Sequence, residues 1–197
     1  MVLFFVLMMR VPLRFFLLVL TALTLAGLLG ASALKARAAA REDAVRTRMV
    51  LSIVNGIIHY TRWPNLGGKL EVCLIGESDY FSLFDRLSAP IQEVVGVPAT
   101  FVRIKKPEEA VSQCNLIYVG RWKEYDTRQL LSTLAGQPIL SIGEEREFCS
   151  MGGMFCLDLN DPGEVHFSTN LDAISRSKVR VNPQVLRLAE RLKAATP

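Results

Sequence analysis

The sequence predicts an α/β protein: a Rossmann-like, three-layer α/β/α domain with a mixed, largely parallel sheet of about five strands and a disulfide-closed β-hairpin. Strand-like and helix-like segments alternate along most of the chain, two short apolar runs end in glycine, and the cysteines number four. Parallel strands need crossover connections, usually helices, which cover both faces of the sheet. The continuously apolar runs are typical of strands buried on both faces.

The individual elements follow from apolar periodicity. Apolar residues recur at helical spacing from Val45 to Ile57, which predicts a core-facing helix over 43–59 that ends before the turn at Trp63-Pro64. Strands are predicted over 70–75, 99–104, 115–119, 138–142 and 164–168, and helices around 79–87, 107–111, 126–134, 170–175 and 183–193. We expect strands 70–75 and 115–119 to be sheet neighbours.

The first 38 residues have the pattern of a secretory signal peptide. Arg10 and Arg14 precede an apolar run over 15–34, and Ala36-Arg37-Ala38 matches a small-residue cleavage site. Cleavage after Ala38 or Ala40 would release one mature domain, 39–197, into the periplasm. The apolar run is roughly twenty residues long, which also suits an uncleaved membrane anchor, so that alternative stays open.

Charge argues against a nucleic-acid partner. The chain holds 23 Lys and Arg against 19 Asp and Glu, and the whole excess of four basic residues lies in the first forty positions. The predicted mature domain is therefore formally neutral, and it lacks the basic surplus that phosphate-backbone binding requires.

The four cysteines predict two disulfides in an exported chain, although counting alone allows three connectivities. Gly152-Gly153 supplies the two positive-φ positions of a hairpin turn, which would place Cys149 opposite Cys156 at a Cα separation of about 5 Å. Cys73 is then left to pair with Cys114. A zinc site is the alternative, but neither pair has C-x-x-C spacing and the chain contains two His.

No catalytic motif was found. Gly76-Glu77-Ser78-Asp79-Tyr80 lacks the last glycine of a nucleophile elbow, and Gly67-Gly68-Lys69 is too short for a phosphate loop. Oxidised cysteines would not serve as nucleophiles. We therefore expect neither an enzyme nor a bound cofactor or metal.

Several stretches resemble the YfiR family of periplasmic regulators, and the resemblance covers nearly all of the predicted mature chain. Its most specific parts are Tyr60-Thr61-Arg62-Trp63-Pro64, Cys114-Asn115-Leu116-Ile117-Tyr118-Val119-Gly120 and Asn170-Leu171-Asp172-Ala173-Ile174-Ser175-Arg176-Ser177.

The resemblance implies a repressor of an inner-membrane diguanylate cyclase, YfiN-like, acting on the cyclase's periplasmic region. It also implies an OmpA-like, YfiB-like outer-membrane lipoprotein that sequesters the repressor. The expected output is less cyclic di-GMP, hence less biofilm exopolysaccharide and more motility. A homodimer is a further expectation.

Three surfaces are candidates for binding. Aromatic and Arg side chains of the type enriched in hot spots lie at Tyr60, Arg62 and Trp63, although Trp63 could equally fill the core. A basic and apolar stretch of the C-terminal region forms the second candidate, Arg176, Lys178, Arg180 and Leu186. The crevice beyond the parallel strands, near Gly76 and Gly120, is the third, and it keeps a small-ligand-binding sensory module as the alternative function.

Overall fold

The computed structural model describes residues 13–160 and 165–188, with side chains from residue 35 onward. The chain divides into two compact units, residues 1–44 and 45–197. Helix α1 (Leu13–His59) contributes to both. Within the described part of the chain, no helix has the length and apolar character needed to cross a membrane.

The second unit is built on a six-stranded sheet and a separate two-stranded ribbon. The strands are β1 (Thr61–Arg62), β2 (Leu70–Ile75), β3 (Ala99–Arg103), β4 (Leu116–Val119), β5 (Leu140–Gly143), β6 (Phe155–Asp158), β7 (His166–Thr169) and β8 (Arg180–Val181). The helices are α2 (Ser88–Val95), α3 (Pro107–Gln113), α4 (Glu124–Leu134), α5 (Glu147–Ser150) and α6 (Leu171–Arg176), with 3-10 turns at Phe81–Leu87 and Pro183–Arg187.

The sheet has the order β3-β2-β4-β5-β6-β7, and every neighbouring pair is parallel except β6 and β7. The ribbon pairs β1 with β8 in antiparallel register. Because β2 lies between β3 and β4, the direction in which successive strands are added reverses between β2 and β4. Open parallel sheets bind ligands beyond their carboxyl ends at such a point.

Apolar side chains cover both faces of the sheet, with a period of two along each strand. On β2, Val72 and Leu74 join one core with α1 and α2, while Cys73 and Ile75 join the other with α3 and α4. The same alternation on β4, β5 and β6 gives two continuous cores. Burial on both faces explains why these strands are continuously apolar in the sequence.

The predicted fold class is confirmed: the sheet is mixed and mostly parallel, with helices on both faces and two disulfides. It has six strands where about five were predicted. Strand β2 coincides with the prediction, and the other predicted strands of this sheet lie within a few residues of the observed ones.

The predicted hairpin around Gly152-Gly153 is wrong. The chain forms the one-turn helix α5 before the two glycines, and β6 after them lies parallel to β5. Gly152 has a positive φ of 112°, but Gly153 has none. Gly153 is needed for a different reason, because a Cβ there would collide with the buried ring of Phe148.

Some sequence predictions fall on residues that the structure leaves undescribed. The predicted signal peptide covers 1–38, and the structure describes neither residues 1–12 nor the side chains of 13–34. Cleavage therefore stays a prediction. The helix predicted over 183–193 is a 3-10 turn at Pro183–Arg187, and its remainder from 189 lies outside the described residues. The first residue of the strand predicted over 164–168 lies outside them as well.

Candidate functional site

The ribbon of β1 and β8 brings together two segments that lie about 120 residues apart in the sequence. Arg62 is the register partner of Arg180, and Thr61 that of Val181. The Asn182 amide donates a hydrogen bond of 2.8 Å to the Tyr60 carbonyl. Thr61 is fully buried, and its hydroxyl donates to the Ile57 carbonyl at 2.7 Å, which fixes the ribbon to the end of α1.

A groove of about 400 Å³ runs beside this ribbon, and we call it the ribbon groove. Its walls are His59, Tyr60, Arg62, Arg180, Val181, Asn182, Pro183 and Gln184. This lining set contains two arginines and no carboxylate. The ribbon groove is therefore suited to an acidic partner segment.

The Arg62 side chain lines the ribbon groove and is held in place by two backbone carbonyls. One guanidinium nitrogen donates to the carbonyls of His59 and Thr61, at 2.7 and 2.8 Å. Because the guanidinium keeps further donors and the residue is exposed, it is able to bind a carboxylate of a partner. The rings of His59 and Tyr60 meet edge to face at 5.0 Å, giving the groove an aromatic wall.

Trp63 does not line the ribbon groove. Its indole Nε1 donates a hydrogen bond of 2.8 Å to the Asn115 carbonyl, and its ring packs against the core as a half-buried side chain. Trp63 therefore belongs mainly to the anchoring of the β1 segment to the sheet. This favours the core-filling alternative for Trp63.

The structure does not bring the four residues of the second predicted surface to one site. Arg180 lies in the ribbon groove, whereas Arg176 forms an ion pair with Asp172 within the exposed helix α6. Lys178 is exposed, and Leu186 is an exposed apolar residue. None of Arg176, Lys178 and Leu186 lines the ribbon groove.

Both predicted disulfides are present. Cys73–Cys114 joins β2 to the residue after α3, with a Cα separation of 5.7 Å. Cys149–Cys156 joins α5 to β6, with a Cα separation of 5.6 Å. The Cys149–Cys156 pairing was predicted correctly, although it joins a helix to a strand and not two strands of a hairpin. The one-turn helix α5 also brings Cys149 close to β6.

A larger cavity of about 590 Å³ lies beyond the carboxyl ends of the parallel strands, and we call it the crevice. Its walls come from the segments after β2, β4, β5 and β6, from α4 and α5 and from Arg46 of α1. The predicted position near Gly76 and Gly120 is adjacent but not lining. Those glycines let the backbones of Glu77 and Arg121 form a bridge, with hydrogen bonds of 3.0 and 2.8 Å.

Glu144 lies in the crevice, at the end of β5, and is only 6% exposed. The Ser78 hydroxyl donates a short hydrogen bond to its carboxylate, and the fully buried Tyr118 hydroxyl faces it. Burial raises the pKa of Glu144, while Ser78 and Tyr118 oppose the rise by favouring the charged carboxylate. Burial raises the pKa of Tyr118 as well, and the Glu144 charge adds to that rise.

Across the described residues, no three His, Cys, Asp or Glu side chains are grouped closely enough to hold a metal ion. The acidic and basic groups that line the crevice are interspersed instead.

Sequence reasoning found Tyr60, Arg62 and Arg180 but not their common groove. It missed Glu144, since nothing in the stretch Gly143-Glu144-Glu145-Arg146-Glu147 distinguishes this Glu from the other two. Its position directly after a buried parallel strand is the signal that could have drawn attention to it.

The topology and the two disulfides define a disulfide-bonded α/β domain, and its described residues form the ribbon groove and the crevice. Comparison with known families places it further. The chain belongs to the YfiR/HmsC-like family, whose model (DUF4154) matches residues 47–190. This family is periplasmic, regulatory and non-catalytic, and membership indicates a regulator of diguanylate cyclase signalling that interacts with signalling partners. The two disulfides suit an oxidising compartment.

Proposed function

We propose that this protein is a periplasmic negative regulator that binds the periplasmic region of an inner-membrane, YfiN-like diguanylate cyclase and represses cyclic di-GMP synthesis. Export by the signal peptide over 1–38 would deliver it to that compartment. Repression would lower exopolysaccharide production and favour motility.

The observation that carries the proposal is the ribbon groove in a member of a regulatory family. Its exposed residues include Arg62 and Arg180, and its lining has no carboxylate to neutralise them. An acidic segment of the cyclase would be attracted to this surface and held by Arg and Tyr side chains, which are common interface hot spots.

An OmpA-like, YfiB-like lipoprotein is the proposed relieving partner. Sequestration by such a lipoprotein would lift repression if it occupied the same groove or an overlapping surface. A homodimer is also proposed, and the exposed apolar side chains of Leu171 and Leu186, at 62% and 45%, are available for such a contact.

The proposal is tested by complementation of a deletion strain. Deletion should raise cyclic di-GMP and biofilm, and the wild-type gene should restore both to the parental level. The double variant Arg62→Glu/Arg180→Glu should fail to restore them while accumulating normally. Arg86→Glu, a charge reversal at an exposed site outside the groove, is the matched control and should complement fully.

Deletion without any change in cyclic di-GMP would refute the regulatory function. Full complementation by the double variant would instead refute the assignment of the ribbon groove.

A second candidate function is a small-ligand-binding sensory module. The crevice favours it, since a cavity of this size at the carboxyl ends of a parallel sheet is the usual ligand position in this fold class. The two functions are compatible if a ligand in the crevice regulates the partner surface.

A further inference from the structure

We propose that the crevice binds a small molecule carrying a primary ammonium group, and that this group is seated against the carboxylate of Glu144. This ligand site goes beyond the proposed regulatory function and does not depend on it.

The fold places the crevice where a ligand site is expected. It lies beside the point where the strand order reverses between β2 and β4, and its walls follow directly from the ends of four parallel strands. Its volume of about 590 Å³ is within the range typical of small-molecule sites.

The charges of the crevice select a cation. Three of its arginines already have a carboxylate partner: Arg121 with Asp79 at 3.7 Å, Arg128 with Glu124 at 2.8 Å and Arg146 with Asp158 at 3.4 Å. Arg46 donates to the Leu159 carbonyl and interacts with Tyr80.

Three carboxylates of the lining are not paired in the same way. Glu144, Glu145 and Glu147 line the crevice without an ion pair to any described residue. The lining therefore holds five carboxylates and four guanidinium groups, and three of the carboxylates lie together at the start of α5. Arg121 offsets part of the charge of Glu144. Glu145 and Glu147 are the more accessible of the three, so they would attract a cation towards the buried Glu144.

The immediate surroundings of Glu144 suit an ammonium group more than a metal ion. The hydroxyls of Ser78 and Tyr118 face it, and the charges of Arg121 and Asp79 act on it in opposite directions. The described residues provide no group of three metal-ligating side chains. An ammonium group has three donors, and the carboxylate oxygens of Glu144 could accept from it. Ser78 and Tyr118 do not line the crevice, so their role would be to position that carboxylate. The aromatic rings of Tyr80 and Trp122, also in the lining, would contact the carbon skeleton or the cation itself.

The desolvation of Glu144 also favours a cationic ligand. Burial of Glu144 disfavours its charged form, which is why its pKa is raised. A cation brought alongside would favour the charged carboxylate, so part of the desolvation cost would be recovered on binding.

The competing explanation is purely structural: Glu144 could serve only to tie the end of β5 to the loop after β2 through Ser78. In that case its replacement would change stability without changing the response to any ligand. The experiment must therefore measure binding and folding in the same variants.

We would titrate the purified, disulfide-bonded protein with putrescine, β-alanine and succinate by calorimetry, and follow melting in parallel. Putrescine presents ammonium groups alone, β-alanine an ammonium and a carboxylate, and succinate carboxylates alone. The matched variants are Glu144→Gln, which keeps the shape but not the charge, and Glu93→Gln, which removes an exposed carboxylate on α2 outside the crevice.

The proposal predicts saturable binding and a raised Tm with putrescine or β-alanine and no response to succinate. Glu144→Gln should weaken that binding about tenfold or more, as expected for a desolvated charge pair, and Glu93→Gln should leave it within about twofold. Ser78→Ala, which keeps the Glu144 charge but removes the hydroxyl that positions its carboxylate, should weaken binding as well and serves as a second variant.

Three results would overturn the proposal. They are no saturable binding of either amine, binding of succinate as strong as that of the amines, and amine binding that is unchanged in both Glu144→Gln and Ser78→Ala. Each leaves the regulatory function untouched, because that function is judged by cyclic di-GMP in cells.

Discussion

Glu144 is the only charged residue among the described side chains that is almost completely buried. Its hydrogen bond from Ser78 crosses 66 residues of sequence and joins the loop after β2 to the end of β5. Burying a carboxylate lowers the stability of the fold even when the carboxylate is hydrogen-bonded. Glu144 therefore places a polar group in the crevice at the expense of stability. Such conflicts are most often found at functional positions.

The raised pKa of Glu144 gives the stability of the protein a definite pH dependence. The folded state binds the Glu144 proton more tightly than the unfolded chain does, so the free energy of unfolding falls as pH rises from the ordinary Glu range through the raised pKa. At neutral pH, Glu144→Gln should therefore raise Tm, and at pH 4 that gain should shrink or vanish.

Urea unfolding at pH 4 and pH 7 measures the effect, with Glu93→Gln as the control for loss of an exposed carboxylate on α2. A Glu144→Gln variant that is less stable than wild type at pH 7 and equal to it at pH 4 would contradict the sign.

Asn170 makes contacts with two elements at once. Its Oδ1 accepts the Ala173 amide at 2.9 Å, which caps α6, and its Nδ2 donates to the Cys149 carbonyl at 2.8 Å. Asn170→Ala should lower the free energy of unfolding by about 2 kcal/mol, since a cap and a second hydrogen bond are both lost. Asn182→Ala, which removes a single capping bond to Gln184, should cost about half as much. Equal losses in chemical denaturation would show that the bond to Cys149 contributes nothing.

Helix α5 shows why the Cys149–Cys156 disulfide could be predicted correctly from a hairpin that does not form. The pair Gly152-Gly153 has the composition of a hairpin turn, and Cys149 and Cys156 are placed symmetrically about it. Tertiary packing decides otherwise, because Phe148 is buried against the second core and both Gly143 and Gly153 make room for its ring. Local turn chemistry contains no information about that ring.

The two disulfides should contribute unequally to stability. Cys73 and Cys114 are 41 residues apart, whereas Cys149 and Cys156 are 7 residues apart. In the chain-entropy description the longer loop contributes about 4 kcal/mol and the shorter about 2.5 kcal/mol. The paired variant Cys73→Ala/Cys114→Ala should therefore unfold at clearly lower denaturant than Cys149→Ala/Cys156→Ala.

Guanidinium unfolding of the two paired variants, with wild type under non-reducing conditions as reference, checks this order. If removal of the short loop costs more than removal of the long one, then the second core depends on the α5 connection more than loop entropy implies.

The ribbon explains why the candidate site could be only half predicted. Tyr60, Arg62 and Arg180 are recognisable singly as interface-type residues, but β1 and β8 are two residues long and carry no strand pattern. Their pairing depends on Thr61 being buried beneath the ribbon and on Asn182 bonding to the Tyr60 carbonyl. These are long-range contacts that periodicity does not reveal.

For the whole molecule, the sequence was most informative where both faces of the sheet are buried. β2 and β4 read as continuous apolar runs because Val72 and Cys73 face opposite cores. It was least informative at the ribbon and around Gly152-Gly153, where two-residue strands and a one-turn helix depend on long-range packing. Among the described residues, the ribbon groove and the crevice are two open concavities in which another molecule could be bound.

Equilibrium binding measurements would show whether this domain binds a cyclase through the ribbon groove, as proposed. The disulfide-bonded protein would be titrated with the purified periplasmic region of a YfiN-like cyclase from the same genome, in parallel with Arg62→Glu/Arg180→Glu and Arg86→Glu. We predict saturable binding that weakens with added salt, is lost in the double variant and is kept in Arg86→Glu. Absence of binding by the wild-type protein would contradict the proposed binding of a cyclase. Equal affinity in all three proteins would contradict binding through the ribbon groove.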